Sequence, residues 1–366
     1  MRKALTFSFF VGVWIGICAG AAFAAPKDAL FQSTDPLTIE LSSPELSDLI
    51  RSAAKEPKQI PATLTYENIT GSRVALPVEV APRGRSRRRL GICRFPPLRV
   101  HFGDDTKNDA LFGQQSAIKL VTHCSESYEA EQRVMKEYLA YRVYMLLTDA
   151  SFQVRLAKIR YLNGDRQIAH RYGFFIEDVD HVAARLGLKE LEARKLKNAE
   201  VKSWHNADNI ALIALFQYMI SNLDWSVTSN LGSLPCCHNV KLVAAKAERK
   251  SFRKTGEPEA VSEVMALPYD FDYSGLVDAP YAVVNGSLSR YPVTTRIYWG
   301  FCDHNQNSMA ARAEVIAQRA AILAELNALT ELSPRNKRKA RSFLERSLDI
   351  MSDDKRFERI LDRRCR

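Results

Sequence analysis

Pro268-Tyr269-Asp270-Phe271-Asp272-Tyr273-Ser274-Gly275 closes a strand-like run from Val261 to Leu267, and the rest of the chain is read outward from it. The run returns from a Lys- and Arg-rich loop (Ala247 to Glu257), with Asn239 to Val243 as its outgoing partner. On a strand, Asp270 and Asp272 point to opposite faces, so only one of them faces a given metal. Asp270 is the better ligand and Asp272 braces the loop. The competing reading is a turn with exposed acids, since proline and glycine bound the segment.

Upstream, Ala207 to Leu223 reads as a buried helix that stops at Asn222, Leu223, Asp224 and Trp225. An acid is poorly placed at a helix C-terminus, where the dipole favours cations. Before it, Val154 to Leu162 and Tyr172 to Ile176 form a hairpin across Asn163 and Gly164, ending in Glu177 and Asp178 at a candidate lobe junction. Glu131 to Thr148 is a helix apolar nearly all round. Glu137 falls within its stripe of Val134, Tyr138, Tyr141, Tyr144 and Met145, where a carboxylate needs a cation. Lys119, on the strand Ala117 to His123, is the nearest candidate partner. Val74 to Val80 and Leu98 to Phe102 read as strands flanking an arginine-rich segment, Arg83 to Arg89. There Arg83, Gly84 and Ser86 could close over phosphates or form a plain basic hairpin. Thr38 to Leu41 is a strand, Pro44 to Ala54 a helix capped by Ser43, and the last sixty residues hold two or three helices.

The chain has 366 residues, 46% of them hydrophobic, which excludes collagen-like, low-complexity and disordered classes. Arg2 and Lys3, the apolar run Phe7 to Cys18 and the small residues Ala22 and Ala24 make residues 1–24 a signal peptide, with a short membrane anchor as the rival reading. No later stretch is apolar enough to span a bilayer, so an exported, periplasmic or secreted protein without a transmembrane helix is expected. Six cysteines then remain: Cys93, Cys124, Cys236, Cys237, Cys302 and Cys365. Up to three disulfides are expected, with adjacent Cys236 and Cys237 going to different partners; zinc is the rival, since His238 and His304 lie near cysteines. The net charge of +10 favours phosphate-bearing or acidic partners, and no motif points to nucleic acid. Neither G-x-S-x-G nor H-E-x-x-H occurs, and a paired-carboxylate glycosidase built on Asp224 with Asp270 or Glu177 stays open.

The order of these features is that of a protein kinase: a strand lysine, a helix glutamate, a hairpin, a buried helix, an Asp loop with Asn230, then an acidic motif. G-x-G-x-x-G, H-R-D and D-F-G are all missing. The RGRSR segment followed by PPLRVHF, LFG at Leu111 to Gly113, the YGFFIED strand, the NLDWS loop and PYDFDYSG together resemble the spore-coat CotH-type atypical kinases, over roughly residues 75 to 285. That resemblance implies an α+β, bilobal kinase-like fold. The expected parts are a leader at 25–60, a β-rich nucleotide-binding lobe at 61–178, a catalytic and metal lobe at 179–300 and a helical extension at 301–366. It also implies ATP or another nucleotide with Mg²⁺ or Mn²⁺, and a protein or small-molecule hydroxyl acceptor. Lys119, oriented by Glu137, would bind phosphates, Asp224 would accept the hydroxyl proton, and Asn230, Asp270 and Asp272 would hold the metal. Asn230 lies six residues after Asp224, where ordinary kinases have five. An exported protein meets little free ATP, so a catalytically inactive envelope scaffold is the alternative.

Overall fold

The computed structural model describes residues 28–53, 58–84, 86–89, 92–191, 205–228, 236–246, 250, 264–284 and 288–366. The expected signal peptide and Asn230 lie outside them. The architecture is mixed α+β. Seven strands, β1 (Leu37–Ser42), β2 (Ile60–Glu67), β3 (Arg73–Pro82), β4 (Leu98–Phe102), β5 (Ala117–Val121), β6 (Val154–Asn163) and β7 (Arg166–Ile176), form a closed barrel in the order β1-β2-β3-β4-β5-β7-β6. Neighbours are antiparallel except β1 and β6, which run parallel and close the barrel with Leu41 opposite Tyr161. The stretch expected to be a leader therefore enters the fold. Pairing between strands more than a hundred positions apart leaves no local trace in sequence, which is why a separate leader was the natural reading of 25–60.

Alternating side chains of β3 and β4 enter the barrel, whose core includes Leu41, Leu64, Val80, Val100, Leu120 and Phe175. Strand β5 is buried on both faces: Ile118 and Leu120 point into the barrel, while Val121 joins a second core. Period two puts Lys119 on the same side as Val121, away from the barrel interior.

The second core is built on α2 (Tyr128–Leu147) and α4 (Ala207–Ile220), both buried nearly all round as their sequences require. Helix α2 starts three residues before its sequence reading because Ser127 accepts a hydrogen bond from the Ala130 amide. Helix α4, capped by Asn206, stops at Ile220 rather than Leu223, with Ser221 in the left-handed region at φ 54°. Short helices α1 (Leu46–Ser52) and α3 (Val179–Arg185) pack at the margins. Strands β8 (Lys189–Leu191), β9 (Val240–Ala244) and β10 (Met265–Pro268) make a small antiparallel sheet in the order β10-β9-β8.

The C-terminal part has four helices where two or three were expected: α5 (Asn305–Ala317), α6 (Arg319–Ala328), α7 (Pro334–Ser352) and α8 (Asp354–Arg364). The breaks at Gln318 and Asp353 are single-residue corners without glycine or proline, so composition does not mark them. No helix among the described residues is long and apolar enough to cross a membrane. Disulfides join Cys93 to Cys124 and Cys302 to Cys365. Cys236 and Cys237 pair with each other, correcting the expectation of separate partners; a cis peptide brings their Cα atoms to 3.2 Å. With the sulfurs so engaged, the described cysteines offer no thiolates for zinc.

Candidate functional site: an arginine among three carboxylates

The motif at 268–275 is not a strand running through both aspartates. Strand β10 ends at Pro268, Asp270 takes a left-handed conformation at φ 65°, and Phe271–Tyr273 form one 3-10 turn. That sharp corner overturns the opposite-face expectation, because both carboxylates now swing towards Glu137 of α2. Carboxylate oxygens of Glu137, Asp270 and Asp272 lie within 4.8 Å of one another. Tyr141, one turn beyond Glu137, fixes the corner by accepting a hydrogen bond from the Asp270 amide at 2.8 Å.

Arg87 occupies the middle of this group. Its Nη1 is 3.2 Å from Glu137 Oε2, its Nε is 3.3 Å from Asp272 Oδ2, and its Nη2 pairs with Asp270 Oδ1. The expected partnership of Glu137 with Lys119 is therefore replaced by one with Arg87. A guanidinium presents five donors in a planar fork and can serve three carboxylates at once, which an ammonium cannot. The segment reaches this depth because the Cys93–Cys124 bridge and the Phe95 amide, which donates to the Cys124 carbonyl, staple it to the turn before α2.

One guanidinium does not neutralise three carboxylates. Burial raises the pKa of Glu137, with Asp270 adding to the effect against Arg87. Burial also lifts Asp272 well above the carboxylate range, reinforced by Asp270 and Glu137. Asp270 is pushed up by burial too, but Arg87 and Arg83 outweigh this and hold it below its usual value. The Asp270 side chain is 32% exposed against 3% for Glu137 and 4% for Asp272, making it the open edge of the site. Behind the triad, a cavity of about 60 Å³ is lined by Arg87, Glu137, Asp272, Arg133 and Tyr281 among others. Asp272 Oδ2 faces Arg87 as an ion pair and makes no hydrogen bond. Three oxygen donors with a buried atom that lacks a hydrogen bond form a group that could hold a metal ion.

Lys119 is 8% exposed, with Nζ 5.3 Å from the Phe152 ring centre and 5.5 Å from that of Tyr269. It forms no ion pair among the described residues. Burial, with repulsion from Arg83, brings its pKa down to about 7, Asp178 opposing. Arg83 donates its backbone N–H to the Pro97 carbonyl, and its half-buried guanidinium lies in the field of Asp270. Gly84 is exposed at φ 90°, so glycine is needed there for the backbone angle. The Ser86 side chain hydrogen-bonds Tyr273, tying the arginine-rich segment to the acidic turn. Glu177 accepts from Arg185 and the Gln153 amide, and Asp178 caps α3, so both have structural partners.

Asp224 lies four residues beyond α4. Its Oδ2 accepts from Asn239 Nδ2 and its Oδ1 from His238 Nε2, both at 2.8 Å. Asn239 also ties Asp224 to the acidic turn, because the Asn239 carbonyl accepts from the Tyr269 amide at 3.0 Å. Arg87 and Tyr141 escaped sequence reasoning as site residues, and His238 entered it only as a candidate zinc ligand. Arg87 was one of five arginines in a short run, and nothing local distinguishes the buried one.

His205 supports the same loop, its Nε2 standing 2.9 Å from the Val227 carbonyl. Burial lowers its pKa to about 4, with His304 contributing, against backbone hydrogen bonds. Between that value and the ordinary 6.5 the unfolded chain binds a proton that the folded protein refuses, so stability contributed by neutral His205 is lost as pH falls. From pH 7 to pH 5 the loss amounts to about 2 kcal/mol. Melting curves of wild type should therefore fall more steeply over that interval than those of His205→Gln; parallel curves would show that His205 is not the group responsible.

Compared with known families and with curated proteins, the chain matches no family model and no curated sequence.

Proposed function

We propose that the chain is a metal-dependent phosphotransferase of the atypical kinase class, similar to the CotH-type kinases, acting on a protein or small hydroxyl acceptor in the cell envelope. The observation that carries this is the convergence of Glu137, Asp270 and Asp272 around a site that one arginine leaves under-neutralised. Further support comes from the order of elements: lysine on β5, glutamate on α2, then a hairpin, a buried helix, the Asp224 loop and the acidic turn.

In this reading the carboxylates hold Mg²⁺ or Mn²⁺, which neutralises charge on a transferring phosphoryl group. Lys119 and Arg83 meet the phosphates of ATP or another nucleotide. For Lys119 this supplies the anion that its buried ammonium otherwise lacks. Asp224, oriented by Asn239 and His238, accepts the proton of the attacking hydroxyl. Export by the N-terminal signal segment places the reaction outside the cytoplasm.

Arg87 also favours a second reading. Arg87, its side chain 7% exposed and paired with all three acids, would act as a permanent internal cation in a kinase-like scaffold that binds no metal. Thermal melting separates the two: Mg²⁺ or Mn²⁺ with nucleotide should raise the Tm of wild type and not that of Asp270→Ala. Incorporation of label from a γ-labelled nucleotide should vanish in Asp224→Ala while the Tm shift persists. Absence of any shift with metal and nucleotide would leave the scaffold, and undiminished labelling by Asp224→Ala would remove that residue as the base.

A further inference from the structure

Helix α8 ends the chain with Asp354-Lys355-Arg356-Phe357-Glu358-Arg359-Ile360-Leu361-Asp362-Arg363-Arg364. At 100° per residue, Arg356, Arg359, Ile360 and Arg363 share one face, while Glu358 falls on the opposite side and Asp362 on the flank, about 60° from Arg359. That face lines a cleft of about 380 Å³, whose far wall is Tyr218 of α4 with Tyr291 and Arg296 of the segment before α5. We propose that this cleft binds a small phosphate compound carrying two or more anionic groups.

Four arginines and no carboxylate line the cleft. Three nearby acids are engaged elsewhere, Asp354 with Arg312, Asp349 with Arg319 and Glu345 with Arg341, while Glu358 and Asp362 of α8 lie outside the lining. Among the described residues, none of Arg296, Arg356, Arg359 and Arg363 has an ion-pair partner. Arg296 is held in place by stacking 3.9 Å over the Phe343 ring and by donating to the Phe343 carbonyl, so its charge is fixed at the wall. Converging cations without counter-charges repel one another, and a bound polyanion removes that repulsion.

The lining also selects the ligand class. Every cation is arginine, whose fork matches phosphate oxygens in pairs. Along a helix rising about 1.5 Å per residue, Arg356 and Arg363 stand roughly 10 Å apart with Arg359 between them, which suits several charged groups in a row. The volume lies in the range of small-ligand pockets, and Tyr218, Tyr291 and Ile360 add aromatic and aliphatic surface to the lining. This site does not depend on the acidic triad or on the phosphotransferase reading.

Titration calorimetry with inorganic tripolyphosphate at constant ionic strength, with EDTA to remove divalent ions, tests the proposal. Saturable binding is expected, weakened roughly 30-fold in Arg359→Ala/Arg363→Ala by loss of two charge-assisted contacts. The control Lys337→Ala/Arg338→Ala/Lys339→Ala removes more charge from α7 and should bind as wild type. No binding by wild type, or equal weakening in both variants, overturns the site. Equal competition by citrate overturns the assignment to phosphate.

Discussion

Replacing Arg87 by alanine is expected to destabilise the protein by about 3–5 kcal/mol at neutral pH, because it leaves three crowded carboxylates without the one cation that pairs with them directly, Arg83 acting only through its field. Arg87 is only 7% exposed at its side chain and touches all three acids, so water cannot substitute for it at low cost. Its own burial opposes its charge, yet Asp272, Glu137 and Asp270 hold its pKa well above the ordinary value, which expresses the same coupling. The variant should also become pH-sensitive in a defined direction. Carboxylates with raised folded-state pKa values bind protons on folding, so their contribution is present at acid pH and is lost as pH rises through those values. Arg87→Ala should therefore lose less Tm, relative to wild type, at pH 5 than at pH 8. Under the phosphotransferase reading, Mn²⁺ should restore more Tm to Arg87→Ala than it adds to wild type. Melting within about a degree of wild type at every pH would show that the guanidinium does not hold the acids together. If the alanine variant cannot be purified, Arg87→Lys serves: an ammonium satisfies fewer of the three acids, so an intermediate loss is expected.

Lys119→Met is expected to stabilise the ligand-free protein. Lowering of the ammonium pKa from 10.5 to about 7 by burial means that the folded state resists a charge the unfolded chain carries freely. At pH 7 this penalty corresponds to about 4 kcal/mol, and methionine fills similar space between Phe152 and Tyr269 without it. The penalty is complete below about pH 7 and fades as pH rises towards 10.5, where the unfolded lysine also becomes neutral. The stability gain of Lys119→Met should fade over the same interval. A variant less stable than wild type at pH 7 would mean that the ammonium is already compensated. If Lys119 meets nucleotide phosphates, the stabilised variant should bind nucleotide more weakly, the trade expected where a group is kept for function against stability.

Much of the framework was legible in local pattern. Strand β4 has the boundaries of its sequence reading, β5 and β6 begin where expected, and α4 starts at Ala207. Period-two alternation, the Asn163-Gly164 turn and unbroken apolar helices are short-range signals. Elements ending in left-handed residues were misjudged: α4 ran three residues too long because Ser221 adopts φ 54°, and β10 was extended through Asp270 for the same reason. Side chains other than glycine rarely take that conformation, and here tertiary contacts impose it.

The buried Glu137 was visible from helical periodicity, and so was its need for a cation, since a lone carboxylate in an apolar stripe is costly wherever the helix packs. Which cation answers that need was not. Lys119 is nearer in sequence, yet Arg87 arrives from 50 positions away along a disulfide-stapled segment, with Asp270 and Asp272 from a corner 183 positions from Arg87 at its first aspartate. By itself the sequence determined where strands and helices run and which residues could not remain unpaired, because those follow from neighbours within a few positions. The tertiary structure alone decided who pairs with whom, closing the barrel through β1 and β6 and seating an arginine among three acids, because such contacts are chosen by packing between segments that share no local pattern.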